Sequence, residues 1–476
     1  MIWETVMGLE VHAELSTDSK IFCGCSAAFG SEPNTLVCPV CAGLPGVLPR
    51  LNENVVEYAV RLGLILDCDI TRHCKFDRKN YFYPDLPKAY QTSQLYAPIC
   101  RNGKLEIETE NGKKTIGIRE IHMEEDAGKL IHDPLNGNTA MDFNRCGVPL
   151  LEIVTNPDFS DAEEVNAYLE RLREILLYSG ICDCKMQEGS MRADINLSVR
   201  ERGGELGTRT EMKNLNSFKA ITRAIEFEQK RQIEILENGG EVIQETRRWD
   251  DNKRQSYGMR SKENAQDYRY FPEPDLLPIS ISDSMLKQIQ EELPELAHEK
   301  RARYQEVYGI TEREAKLITT HKNISSLFED LAEKSVLARE AANLVLGEIM
   351  RLLNTHDILP ENLNVNSNKL SYLINILSQG KINRNSYKEA IQEVFLNDIN
   401  PEEYIEQKGL LIVNDETAVL SAVNKILENN AQAVSDYKNG KEKAFGFLMG
   451  QVMRELRGAG EAEMVRLMLE MRLTVI

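Results

Sequence analysis

Gly8-Leu9-Glu10-Val11-His12-Ala13-Glu14-Leu15 alternates apolar and polar residues from Leu9 onward. Successive side chains of a strand point to opposite faces, so Glu10, His12 and Glu14 share one face while Leu9, Val11, Ala13 and Leu15 share the other. One side suits a core and the other presents an acid, an imidazole and an acid. A solvated strand edge would carry the same pattern, and only its company along the chain separates the two readings.

Two further segments supply that company. Arg119-Glu120-Ile121-His122-Met123-Glu124-Glu125-Asp126 closes on three consecutive acids, which repel one another unless water or a cation intervenes. In a regular strand Glu124 and Glu125 face opposite sides, so recruiting both to one metal needs a bulge or a strand end. Arg192-Ala-Asp194-Ile-Asn196-Leu-Ser198-Val alternates, Gly203-Gly204 offers a turn, and Thr208-Arg-Thr-Glu211-Met-Lys213-Asn214 returns as a hairpin. Asp194 and Asn196 would then face Glu211 and Lys213. Oxygen ligands beside an ammonium suit magnesium and phosphate, although a surface hairpin laced by ion pairs reads the same way. Asp77-Arg78-Lys79-Asn80-Tyr81-Phe82-Tyr83-Pro84-Asp85 interleaves cations with aromatics, as a phosphate site with a stacked base would or as a structural aromatic turn would. No Gly-x-x-x-x-Gly-Lys-[Ser/Thr] loop and no Rossmann glycine pattern occurs, so a nucleotide would be held in another way.

Upstream stand Cys23-x-Cys25 and Cys38-x-x-Cys41. Paired short spacings suit one tetrahedral ion, and Pro39 and Gly43 favour a tight knuckle whose backbone N–H groups point at thiolate sulfurs. Four thiolates leave no open coordination position. The reading is therefore a structural zinc that folds the chain and takes no part in chemistry. The remaining six of ten cysteines are scattered and read as free thiols.

A chain of 476 residues exceeds one ordinary core, and about 150 residues per domain suggests roughly three. No apolar run reaches the roughly 20 residues needed to cross a bilayer, and Met1-Ile2-Trp3-Glu4 lacks the basic start of a signal, so a cytoplasmic protein without a membrane partner is expected. A formal net charge of -18 argues against indiscriminate binding of nucleic acid. Any such contact must be local. Lys438, Lys441, Lys443, Arg454 and Arg457 face only Glu442 and Glu455 in one stretch, a candidate footprint that is also compatible with a solvated helix face.

Through about residue 280 the pattern is of short strands with helices near Asp161 to Tyr178 and Lys219 to Leu236, an α+β region. Pro272-Glu-Pro-Asp-Leu-Leu-Pro278 interrupts it, and helices dominate beyond. Thr311-x-x-Glu314 and Ser386-x-x-Glu389 have the form of capping boxes, while Leu337, Ala341, Val345, Ile349 and Leu352 recur on one helical face. Gly380 and Gly409 read as helix stops, and Pro401 as a helix start.

Together these segments resemble the B subunit of the bacterial and organellar aspartyl/glutamyl-tRNA(Asn/Gln) amidotransferases. The resemblance rests on Gly8-Leu-Glu-Val-His12, the cysteine spacing, Lys75-Phe-Asp-Arg-Lys-Asn-Tyr-Phe-Tyr-Pro-Asp-Leu-Pro-Lys88 and Met141-Asp-Phe-Asn-Arg-Cys-Gly-Val-Pro-Leu-Leu-Glu-Ile153. It continues through Ser190-Met-Arg-Ala-Asp194, Gly207-Thr-Arg-Thr-Glu-Met-Lys-Asn-Leu-Asn-Ser217, Asp267-Tyr-Arg-Tyr-Phe-Pro-Glu-Pro-Asp275 and Gly446-Phe-Leu-Met-Gly-Gln-Val-Met453. It spans the whole chain, most densely residues 8–280.

The resemblance implies a sheet-containing, saddle-shaped kinase-like cradle with the zinc knuckle, for which we take residues 1–290, an all-helical domain over 291–408 and a small helical tail over 409–476 that touches tRNA. It implies a ligase that uses ATP and Mg2+ to phosphorylate the side-chain carboxylate of Glu-tRNA(Gln) or Asp-tRNA(Asn), after which ammonia displaces phosphate. Glu10, His12, Glu124 and Glu125 look like the catalytic set, with His12, Glu10 and Glu125 on magnesium. Asp194, Glu211 and Lys213 look like supporting metal and phosphate contacts. Arg78, Lys79 and Lys88 are candidates for ATP, the tRNA end or the ammonia entrance, with Lys88 placed in the ammonia channel. No Ser-Ser-Lys amidase pattern occurs, so ammonia must come from a partner. The family provides that partner as an amidase subunit strapped on by a small third subunit, which makes a heterotrimer. The chain departs from the family at Ala89, where glycine is common; alanine speaks against a positive φ there. It departs again at Arg457-Gly-Ala-Gly-Glu-Ala-Glu463, less basic than usual, which implies weaker or shifted tRNA contacts. Two rivals remain on the residues alone: a zinc-bearing RNA-binding scaffold, and a metallohydrolase that activates water at the acid and histidine cluster without ATP.

Overall fold

The computed structural model describes residues 2–133, 136–261, 268–412, 416–456 and 460–475. Contacts divide the chain into two compact units, Met1–Leu296 and Ala297–Ile476. The first is rich in strands and the second is helical, an α+β arrangement.

The alternating segment belongs to one strand, Trp3–Glu14, which lies in the middle of a nine-stranded sheet. Its neighbours are Pro149–Thr155 on one side and Met191–Glu201 on the other, both antiparallel. Beyond Pro149–Thr155 come Gly112–Glu125, Cys100–Thr109 and the short Asp69–Ile70; beyond Met191–Glu201 come Thr210–Lys213, Glu245–Asp250 and Gln255–Ser261. The pair Thr210–Lys213 and Glu245–Asp250 is parallel.

Met7, Leu9, Val11 and Ala13 are buried from the central strand and join Ile153, Ile195, Leu197, Ile121 and Met123 in one core. Three helices, Glu53–Ile65, Ala162–Tyr178 and Phe218–Glu237, supply residues to that core, among them Val60, Leu172 and Ile221. Each begins on a side chain that accepts a backbone N–H, from Asn52, Asp161 and Ser217 respectively, which answers part of the unmet donors of a first helical turn. Since all three helices pack on the apolar face, the opposite face keeps its polar residues. This one-sided cover is what turns a sequence alternation into a site.

A break in register sharpens it. Ile116 and Ile118 face the core, yet so do Ile121 and Met123, because the ladder between Gly112–Glu125 and Pro149–Thr155 shifts at Val154/Thr155. The inserted residue flips the alternation and leaves Glu120, His122 and Glu124 on the polar side, where His122 and Glu124 are buried. A smaller sheet of Phe271–Pro272, Asp77–Asn80 and Tyr90–Ser93 accompanies the large one in this unit.

In the second unit one hydrophobic cluster runs from Tyr304 to Ile405, and another gathers Val419, Val423, Leu448, Val452, Val465 and Leu469. Thr311 and Glu314 form a reciprocal capping box. Ser386 does not: the helix Arg384–Asn397 starts earlier, on Asn383, whose side chain accepts from Asn385 and Ser386. Gly409 closes the helix Pro401–Lys408 at φ +61. Ala341, Val345, Ile349 and Leu352 are buried as one face, whereas Leu337 stays half exposed at the helix entrance.

Candidate active site

Cross-strand register decides which polar residues meet. His12 lies opposite Glu152 on one side and Arg192 on the other, Glu10 opposite Asp194, and Glu152 opposite His122. A ligand atom from each of His12, Glu124 and Glu152 falls within 4.8 Å of the others, and His12 Nε2 is 3.8 Å from Glu152 Oε1. Two carboxylates and an imidazole thus converge on the open face.

The electrostatics of this trio call for a cation. Burial pushes the Glu152 carboxyl well above the usual range, and crowding by Glu124 and Glu10 adds to it. Glu124 is held below the usual range despite its burial, chiefly by Lys79 and also by the Ser93 hydroxyl that donates to Oε1 at 2.5 Å. Burial lowers His12, so its imidazole is a neutral nitrogen ligand. A divalent ion fits two crowded carboxylates and an imidazole, and Mg2+ is held by one or two carboxylates with the rest of its shell left to water or phosphate.

Cations ring the trio. The Lys79 ammonium, 5.1 Å from the centre of the Tyr268 ring, is held above its ordinary value against burial, chiefly by Glu124 and then by Tyr270 and Glu152. Lys213 Nζ contacts Asp194 Oδ2 at 2.5 Å and Glu211 Oε1 at 2.9 Å, which completes the hairpin pairing of these strands. Asn196 Nδ2 donates to Glu10 Oε1 at 2.9 Å. Next to Glu10 the open face continues into a hollow of about 330 Å³, floored by the bare backbone of Gly8 and lined by Asn196, Ser198, Leu206, Arg119 and Arg209.

Glu125 is elsewhere. As the alternation requires, it turns away from Glu124, pairs with Lys88 and accepts the Thr92 N–H at 2.8 Å. The expected magnesium set of His12, Glu10 and Glu125 is therefore divided: His12 is joined by Glu124 and Glu152, with Glu10 at the border. Glu125 and Lys88 line a separate cavity of about 230 Å³ with Cys41, Tyr90 and Asp275. Arg78 borders the same cavity and is committed to Glu273, at 2.7 Å through both Nε and a terminal nitrogen, and to Asp275 at 2.9 Å. Nε and one terminal nitrogen of Arg78 are thus held by carboxylates.

Cys23, Cys25, Cys38 and Cys41 place their sulfurs within 4.8 Å of one another, a grouping that can hold a metal ion. The Cys38 N–H donates to Cys41 Sγ at 3.2 Å, and the Cys41 thiol is drawn down to about 4, chiefly by a hydrogen bond from Cys23. Four clustered sulfurs with an amide donor suit tetrahedral zinc. At Gly43, φ is +67 and a Cβ would come within 2.5 Å of Lys88 Cγ, so the knuckle packs directly on the lysine that holds Glu125. All ten cysteines are free of disulfides.

Sequence reasoning missed Glu152. Glu152 is the one polar residue in the buried run Pro149-Leu-Leu-Glu-Ile-Val-Thr155 before its closing threonine, and that isolation was its signal. In the tail, Lys438, Lys441, Lys443 and Arg454 are exposed, with Lys441 bound to Asp436 at 3.0 Å; Arg457 lies outside the described residues.

Against known families, residues 5–287 match the GatB/GatE catalytic domain and residues 326–473 the GatB domain. The chain is 58% identical over 465 residues to the B subunit of the aspartyl/glutamyl-tRNA(Asn/Gln) amidotransferase of Lachnoclostridium phytofermentans, covering 98% of this chain and 97% of that one. It is 54% identical over 471 residues to the like-named protein of Agathobacter rectalis, with 98% and 99% covered. For that of Caldanaerobacter subterraneus subsp. tengcongensis the identity is 51% over 475 residues, with 100% of both covered.

Proposed function

This chain belongs to the family of aspartyl/glutamyl-tRNA(Asn/Gln) amidotransferase B subunits, and on that premise we propose that the open face of its large sheet is a kinase-like cradle where a misacylated tRNA is activated. At neutral pH the side-chain carboxylate of Glu-tRNA(Gln) or Asp-tRNA(Asn) is an anion that ammonia does not attack. A carboxylate oxygen attacks the γ-phosphorus of ATP, the bond to ADP breaks, and an acyl phosphate results. Ammonia then adds to the carbonyl carbon, phosphate departs with the bonding electrons, and one proton is lost, leaving the amide.

The convergence of His12, Glu124 and Glu152 beside Lys79 and Lys213 carries this reading. His12, Glu124 and Glu152 would hold Mg2+, which neutralises phosphate charge when bound. Lys79 and Lys213 add fixed positive charge at the same face, and Glu211 and Asp194 orient Lys213. The hollow beside Glu10 suits the nucleotide: Gly8 and Leu206 give an apolar surface for a base, and Arg119 and Arg209 give cations for its phosphates. Asn196, which bridges Glu10 and the hollow, links nucleotide to metal.

The cavity at Lys88 and Glu125 is the proposed ammonia entrance, walled off from the phosphorylation site by the strand that carries both Glu124 and Glu125. Ammonia arrives from an amidase subunit joined through a small third subunit, in a cytoplasmic heterotrimer. Zinc in the four-cysteine knuckle is structural. The tail from residue 409 meets tRNA through Lys438, Lys441, Lys443, Arg454 and Arg457. ATP cleavage by the assembled complex should need both misacylated tRNA and Mg2+, and Glu124→Gln should lower it at least a hundredfold. Equal cleavage by that variant would reject the reading.

A further inference from the structure

Lys20 borders the proposed ammonia cavity but is assigned no step above, and its side chain is fully buried. Its Nζ donates to the Leu36 carbonyl at 2.8 Å, to Cys41 Sγ at 3.6 Å and to the Phe143 carbonyl at 3.5 Å. Among the described residues no carboxylate lies within ion-pair distance of it. A buried ammonium that meets only two carbonyls and one sulfur is unfavourable unless charge of the opposite sign sits close by. Four thiolates around one divalent cation carry that charge, a net of two negative.

We propose that Lys20 is the internal counter-ion of the four-cysteine metal site, and that it couples metal occupancy to the loop Phe143–Gly147. The coupling follows from what the side chain spans. One end of the contact is the knuckle, through Leu36 and Cys41; the other is the loop, through Phe143. Asn144 accepts the Leu36 N–H at 2.8 Å, the Ile21 N–H donates to the Gly147 carbonyl at 2.8 Å, and the Gly147 N–H donates to the Asp126 carbonyl at 3.0 Å. A Cβ at Gly147 would sit 3.7 Å from Lys20 Cδ, so the loop closes on the lysine stem. From this loop the chain enters the strand Pro149–Thr155 that bears Glu152. Metal thus steadies the approach to the active strand without touching substrate.

The inference rests on the reading that the four cysteines hold zinc, and the test separates the two. Zinc release from the full chain to a chromogenic chelator is followed for wild type and for the near-isosteric Lys20→Met. We expect stoichiometric zinc in wild type and release at least tenfold faster from the variant, the usual effect of removing a group that supports metal ligands. Wild type without zinc would overturn both readings; zinc held equally by both proteins would overturn the role of Lys20 alone. Should Lys20→Met fail to fold, amide exchange in wild type decides: stripping zinc should speed exchange at Ile21 and Gly147 at least tenfold, and unchanged protection would refute the coupling.

Discussion

Glu124 and Glu125 are adjacent in sequence, and the pleat of one strand sends them to different partners. Glu124 meets His12 and Lys79; Glu125 meets Lys88. That division was legible in the alternation, whereas the third acid was not. Glu152 stands in a run that reads as plain core, and only cross-strand register, a property of folding at long range, brings it opposite His12. Ala89 shows the reverse failure: alanine argued for an ordinary backbone, yet its φ is +59. The turn after Pro87-Lys88 is imposed by its surroundings, with Ala89 N–H donating to Leu86 and its carbonyl accepting from Tyr81. Left-handed alanine is unfavourable by about 1 kcal/mol relative to glycine. Ala89→Gly should therefore raise the unfolding midpoint in urea by a corresponding amount, and a lower midpoint would show that the position is not strained.

At the scale of elements, the helix Phe218–Glu237 is fixed to the sheet by more than apolar contact. Glu228 is fully buried, receives two guanidinium N–H bonds from Arg231 at 2.8 and 2.7 Å, and accepts from Thr210 and Gln232 at 2.7 and 2.8 Å. Against the desolvation that raises it, Arg231, Gln232 and Thr210 hold its carboxyl below the ordinary value. A carboxyl whose folded pKa is depressed contributes stability that is present above the unfolded value of about 4.3 and is lost as pH falls through the folded one. Denaturant unfolding of the first unit should weaken as pH drops below about 4. Glu228→Gln should cost roughly 3 kcal/mol at pH 7 and flatten that acid limb. A variant with the wild-type acid profile would place the pH dependence elsewhere. Helix positions were largely readable from caps and periodicity, as at Asp161 and Thr311. The error at Ser386 arose because Asn383, three residues earlier, caps as well as serine does.

Across the molecule, an acidic chain of net charge -18 has to engage a polyanion, which it can do only where positive charge is concentrated. In the proposed function the sheet face offers Lys79 and Lys213 to phosphate, and the helices of the tail expose Lys438, Lys443 and Arg454. Replacing those three exposed residues by glutamate should raise KM for tRNA about tenfold, more steeply at low salt, with kcat within about twofold and unfolding unchanged. An unaltered KM would move the tRNA contact off the tail. The division into a sheet unit and helices followed from the change of hydrophobic period near Pro272 to Pro278. Which faces of the sheet stay open did not, because that depends on where three helices dock.

The claim that most else depends on is that phosphorylation occurs at His12, Glu124 and Glu152 and that Glu125 serves another step. Its most direct test is tRNA-dependent ATP cleavage, measured beside amide formation in the assembled complex, for Glu152→Gln and Glu125→Gln. We expect Glu152→Gln to lose ATP cleavage and amide formation together by at least a hundredfold, and Glu125→Gln to keep ATP cleavage within about tenfold while amide formation falls further. Wild-type ATP cleavage by Glu152→Gln would contradict the account.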